Sequence, residues 1–211
     1  MIREIFPIRI YESCIDDSSY SKISNDLKQY ITYNRSNFKT VKSWLGNTET
    51  DFPQTKFYSD DLKHEIYKHC YNFIEGLNPE IYELNIINLW VNINSKDSFQ
   101  EDHHHIGPGS QFSGTLYIDT VDSGGQFEIL NPNSHESYNS SNGKYKDRFK
   151  TIIKPEEKKI IIFPSYLVHR VTPNYTNKNR VSISFNIAKK SFQILNKWIG
   201  DSPENYGYTR K

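Results

Sequence analysis

The sequence predicts a mainly β fold, a sandwich or barrel of short strands, with flanking helices from the N-terminal third of its 211 residues. Three observations lead there. From about Tyr82 onward, β-branched and aromatic residues recur in short runs with polar residues interleaved. Gly, Pro, Asn and Ser break those runs repeatedly. Before that point, only two stretches place apolar residues at helical spacing.

Ile2 to Tyr11 alternates apolar positions around Pro7, as in an edge strand, because proline cannot donate to a ladder. Asp16 to Tyr30 reads as a helix with Ile23, Leu27 and Tyr30 on one face and Ser18 or Ser19 as cap. Thr32 to Pro53, which carries Trp44-Leu45-Gly46, reads as an irregular loop anchored by aromatics, either a packing element or a lid. A second helix is expected over Ser59 to Leu77, with Gly76 near its end. His64 and His69 lie five apart in it and share no face, so both are read as surface or packing residues.

Strands are then expected over Leu84 to Ile93, Phe112 to Asp119, Gly125 to Leu130 and Lys150 to Ile153, and further over Lys158 to Phe163, Leu167 to Val171 and Arg180 to Ala188. Pro132 to Arg148 is polar and reads as a surface loop near one mouth of the barrel. A tail begins at Phe192 with a short apolar helical pattern. The chain is long enough for one domain with a substantial core. Its parts are a flank of about residues 1–80, a barrel of about 82–190 and a tail of 191–211.

A formal net charge of +1 supplies no attraction for nucleic acid or an anionic membrane. No charged-then-apolar leader and no bilayer-length apolar run is present, which predicts a soluble, cytoplasmic protein. Cys14 and Cys70 lie near none of the histidines and are read as free thiols.

The chemistry concentrates between Trp90 and Tyr117 and again after Phe163. Two residues apart on an extended backbone point to the same side, so His103 and His105 can reach one point while His104 faces away. His169 stands later in an apolar strand, where an unpaired imidazole is costly to bury. It fits a third metal ligand, or a core histidine bonded to a backbone carbonyl. Three imidazoles leave open positions on a divalent metal, the arrangement of a catalytic site. Arg180 and Ser182, two apart on one strand, can together hold a carboxylate. A surface ion pair is the other reading of that arginine.

Six motifs in order resemble the 2-oxoglutarate/Fe(II) oxygenase family. They are Trp90-Val91-Asn92, His103-His104-His105, Ser113-Gly114-Thr115-Leu116-Tyr117, Gly124-Gly125, Phe163-Pro164-Ser165 through His169, and Arg180-Val181-Ser182 through Phe185-Asn186. The resemblance implies a double-stranded β-helix (jelly-roll) barrel with flanking helices. It implies Fe(II) held by His103, His105 and His169, and 2-oxoglutarate chelating the iron with its far carboxylate on Arg180 and Ser182. Tyr117 and Asn92 would touch the cosubstrate; as strand residues they also fit packing or ladder positions. Many related oxygenases have a carboxylate as the middle ligand, and here that step holds only histidine. Asp102 points to the opposite side of a regular strand and could serve only through a bulge. Counting from Trp90 makes His103 and His105 the pair, whereas counting back from Ser113-Gly114 makes it His105 and Gly107.

The function implied is a dioxygenase that hydroxylates a C–H bond of a small-molecule or peptide substrate, consuming dioxygen and releasing succinate and carbon dioxide. Two other classes share part of the pattern. A cupin-type metalloenzyme uses a similar histidine set without 2-oxoglutarate, and a non-enzymatic jelly-roll protein uses none of it.

Overall fold

The computed structural model describes residues 7–40, 46–52, 54–75, 83–107, 109–132 and 149–189. In order these form β1 (Tyr11–Cys14), α1 (Asp17–Tyr33), a 3-10 turn (Arg35–Asn37), β2 (Lys39–Thr40), β3 (Glu49–Thr50) and α2 (Asp60–Glu75). There follow β4 (Leu84–Asn94), β5 (Gln100–His103), β6 (Phe112–Asp119) and β7 (Phe127–Leu130). The last are β8 (Lys150–Ile153), β9 (Lys159–Pro164), β10 (His169–Val171) and β11 (Arg180–Lys189).

The strands make two antiparallel sheets. The larger runs β1-β9-β6-β11-β4-β3-β2 and the smaller β5-β10-β7-β8. Strand alternation decides what each face does. In β9, Ile160 and Ile162 join the core that holds Ile23 and Leu27 of α1 and Leu62, Ile66 and Phe73 of α2. The intervening Ile161 and Phe163 face the other way and pack with Phe127, Ile129, Ile153 and Val171 of the smaller sheet. The helices therefore cover the outside of the larger sheet, and the smaller sheet closes over its inside.

The same period governs β11. Val181, Ile183, Phe185 and Ile187 lie in the helix-side core, while Arg180, Ser182 and Ser184 line an interior cavity. Close packing on the helix side explains Gly114 of β6, where a Cβ would come within 2.4 Å of the Phe185 ring.

Several expectations need correction. The edge strand is β1 at Tyr11–Cys14, not Ile2 to Tyr11; residues 7–10 form no strand, and residues 1–6 lie outside the described part. Pro7 offers no donor, and the ladder begins where Tyr11 pairs with Ile162. Asp16, not Ser18 or Ser19, occupies the N-cap of α1, and it makes no side-chain cap bond. Ser19 instead donates to Glu65 Oε1 of α2 at 3.0 Å. The described part of Thr32 to Pro53 is not wholly irregular: after the end of α1 and the 3-10 turn it adds β2 and β3, two residues each, to the edge of the larger sheet, and Asp51 Oδ1 accepts the Val91 N–H at 2.8 Å. Between Leu167 and Val171 only the last three residues form a strand.

His69 is a packing residue, buried and bonded through Nδ1 to the Tyr11 hydroxyl at 2.9 Å. Both cysteines are free, and burial pushes the Cys70 thiol up to about 12. Trp44, Leu45, Gly76, Leu77, Tyr82, the loop of residues 133–148 and the tail of residues 190–211 lie outside the described residues.

Candidate active site

β10 lies between β5 and β7, and its register sets His169 directly opposite His103. His105 follows β5 by two residues, and its backbone N–H donates to Ser165 O at 2.9 Å. The step from His103 to His105 turns both rings into the cavity and leaves His104 exposed. A ring nitrogen from each of His103, His105 and His169 lies within 4.8 Å of the others. The ring centroids are 5.2 Å apart for His103–His105, 4.3 Å for His103–His169 and 4.9 Å for His105–His169.

Each imidazole is held through Nδ1. That of His103 donates to Glu101 O at 2.6 Å and that of His169 to Leu167 O at 2.9 Å. A carbonyl can only accept, so the proton sits on Nδ1 and Nε2 keeps its lone pair. His105 Nδ1 meets Ser113 Oγ and Asn186 Oδ1, each at 3.0 Å. Burial is the main cause holding all three rings below the ordinary histidine range; repulsion from His103 adds to it at His105 and His169, and repulsion from His104 adds to it at His103. His105 is pushed down to about 4. All three are neutral at pH 7, the form that binds a metal. The carbonyl bond expected of a core histidine exists at His169, but its ring also faces the other two.

Arg180 lines the same cavity and is 2% exposed. Register with β4 pairs it with Asn94, whose Oδ1 accepts from Arg180 Nη2 at 2.9 Å. Nη1 reaches Gly125 O at 3.5 Å. Gly125 has φ +93°, and a Cβ there would lie 2.4 Å from Thr172 O and 3.3 Å from Arg180 Nη1. Glycine is thus what lets that turn approach the guanidinium. Arg180 Nε is buried with no partner, and so is Asn92 Oδ1. Among the described residues, no Asp or Glu lines the cavity. Burial lowers the guanidinium's pKa from its ordinary value, against the opposing pull of Tyr117. Burial also pushes the Tyr117 phenol up to about 12, so it keeps its proton.

All seven predicted site residues, Asn92, His103, His105, Tyr117, His169, Arg180 and Ser182, line this one cavity. Asp102 lies on the outer side, 3.5 Å from Arg170. Gly107 is exposed, on an outer cleft that also has Phe52, Ile87, Asn88, Trp90 and Ile106 on its walls. The two spaces share Trp90, His103 and His105. The sequence reading missed Asn94, the anchor of Arg180, and Gln100, Thr115 and Ser184, which also line the cavity. Asn94 was detectable, since it continues the step of two from Trp90 to Asn92.

Residues 88–186 match a family model described as "Putative 2OG-Fe(II) oxygenase". That stretch, which carries the barrel core, is thus similar to the 2-oxoglutarate/Fe(II) oxygenases. Solved structures share its double-stranded β-helix at low identity. A prolyl-4-hydroxylase from Pseudomonas putida superposes with TM-score 0.62 at 10% identity, covering 87% of this chain and 94% of that one. A prolyl hydroxylase from Trichoplax adhaerens, in complex with a hypoxia inducible factor peptide fragment, gives 0.60 at 14% identity, covering 89% and 86%. The epimerase SnoN from nogalamycin biosynthesis, in complex with Fe3+, alpha ketoglutarate and nogalamycin RO, gives 0.62 at 12% identity, covering 86% and 79%. No curated protein matches in sequence. The oxygenase cofactors, iron and 2-oxoglutarate, fit the groups present: three neutral imidazoles suit a divalent metal, and an unneutralised buried guanidinium suits a carboxylate.

Proposed function

We propose that the protein hydroxylates a C–H bond of a peptide or small-molecule substrate, with release of succinate and carbon dioxide. His103, His105 and His169 hold Fe(II) through Nε2. Arg180 and Ser182 take the far carboxylate of 2-oxoglutarate, and Tyr117 and Asn92 lie against its length. Iron and 2-oxoglutarate, when bound, supply the activation of dioxygen. The chain's own part is to bind, orient and exclude water. The Phe127 and Phe163 rings lie 5.2 and 4.8 Å from the His169 ring and give it apolar neighbours. The outer cleft of Phe52, Ile87, Trp90 and Ile106 receives the substrate; among the described residues its walls carry carboxamides and a hydroxyl but no carboxylate or ammonium, which favours an uncharged group over the metal.

The observation that carries this reading is the Arg180 guanidinium, buried in the histidine cavity with its Nε unpartnered and no acid beside it. Such a charge is costly to bury unless a ligand anion completes it. A metalloenzyme that uses no acid cosubstrate has no need of it. Anaerobic titration with Fe(II) and 2-oxoglutarate should give a weak visible charge-transfer band. Arg180→Ala should weaken 2-oxoglutarate binding by about 30-fold or more, the lower end of what truncating one side of a buried charge pair costs, while leaving Fe(II) binding intact. No band and no succinate from the wild type, or an Arg180→Ala variant that binds 2-oxoglutarate normally, would overturn the reading.

A further inference from the structure

Three motif residues remain that neither metal nor cosubstrate accounts for: Ser113 in β6, Ser165 just after β9 and Asn186 in β11. They come from different parts of the chain, yet all three meet beside His105. Ser113 is 0% exposed, Ser165 2% and Asn186 8%. Ser110 Oγ lies 2.7 Å from Ser165 Oγ, and Ser165 Oγ lies 2.8 Å from Ser113 Oγ. Ser113 Oγ donates to Asn186 Oδ1 at 2.8 Å. His105 Nδ1 reaches both ends of that last link.

The direction of these bonds is forced from one end. A carboxamide oxygen can only accept. Asn186 Nδ2 donates to Asn88 Oδ1 at 3.3 Å, and Asn186 Oδ1 faces Ser113 Oγ and His105 Nδ1. Ser113 spends its only proton on Asn186, so it must accept from Ser165, and Ser165 in turn from Ser110. Every proton in the chain points toward Asn186 Oδ1. The His105 nitrogen facing that oxygen must therefore carry a hydrogen, and the lone pair is left on Nε2.

We infer that Asn186, supported by Ser113 and Ser165, is the positioning residue for His105: it fixes the tautomer and ring angle of the imidazole at the step where many related oxygenases have a carboxylate. A carboxylate can offer either oxygen to a metal, but an imidazole must present one nitrogen in one orientation. The inference rests on His105 being a metal ligand, and the test separates the two claims.

Co(II) serves as the probe, added to the full chain and followed by its d–d absorption. His105→Ala should weaken Co(II) binding sharply. Asn186→Leu, similar in size but without the acceptor, should weaken it 10–100-fold, the usual cost of losing a ligand's supporting partner, and alter the band shape. Asn186→Asp keeps an acceptor and should stay within about threefold of wild type. Packing alone predicts the reverse order, since leucine is tolerated in a buried site better than an added charge. Ser113→Ala removes one oxygen and should fall between the two; it carries the comparison should the leucine variant not fold. Wild-type affinity in both Asn186→Leu and Ser113→Ala, or tighter binding by the leucine than by the aspartate variant, would overturn the inference alone. Wild-type affinity in His105→Ala would overturn the ligand assignment and the inference with it.

Discussion

Three adjacent histidines share one side-chain chemistry, and the backbone alone divides their roles. His103 and His105 turn into the cavity, while the His104 ring is exposed and accepts the Ile106 N–H at 3.3 Å. His104→Ala should leave the metal affinity unchanged within about twofold, and His103→Ala should lower it at least tenfold, both read by isothermal titration with Mn(II). Equal losses in the two variants would contradict the assignment. The same division of labour separates Asp102 from the site: its carboxylate sits with Arg170, which also pairs with buried Glu128 at 2.7 Å. Arg180 was legible because a lone cation two residues from a serine, on a strand with apolar alternate positions, has few uses. Its neighbours were less so. That Asn94 anchors the guanidinium and that Gly125 must lack a side chain depend on pairings across sheet and turn, which no local pattern records.

Legibility at the scale of elements followed burial. β6, β8 and β11 were expected almost to the residue, because apolar alternation set against polar partners is what a strand with two different faces requires. β9 was equally clear for the opposite reason: Ile160 to Phe163 are buried on both faces, one by helices and one by the smaller sheet. β1 was misplaced. Its burial alternates only weakly, and the strand exists because β9 offers an edge to pair with. β10 was overextended since Leu167 and Val168 are apolar like a strand, yet Leu167 N closes a turn onto Pro164 O at 3.0 Å. That turn matters to the site: it places Leu167 O where it accepts the His169 Nδ1 proton. The caps of α1 were not legible at all, because Ser19 is drawn to Glu65 across the helix pair, a tertiary preference that overrides the local one.

At the scale of the whole molecule, burying uncharged imidazoles makes the metal-free protein acid-sensitive. An unfolded histidine gains its proton near pH 6.5, whereas His105 in the fold resists protonation until about pH 4. Between those values the unfolded chain binds more protons, so stability falls as the pH falls. His105 alone accounts for about 3 kcal/mol across that window at 1.36 kcal/mol per pH unit. His103 and His169, lowered in the same direction, add to it. Glu128 acts in a lower range. Burial raises its pKa, but Lys150 and Arg170 outweigh that and hold it below the ordinary value, so its contribution is lost only as the pH drops below about 4.5. Urea melts of the metal-free protein should therefore show stability declining from pH 6.5 toward 4, and a flat profile over that range would contradict neutral buried rings.

Among the described residues, two sheets and eleven strands bring an ion site and a cation into one interior, so the decisive measurement is a crystal structure of the protein soaked anaerobically with Mn(II) and 2-oxoglutarate. The expected result is one ion bonded to Nε2 of His103, His105 and His169, with the free carboxylate of 2-oxoglutarate on Arg180 and Ser182. An ion bound through His104 or Asp102, or a 2-oxoglutarate molecule that leaves Arg180 untouched, would contradict it.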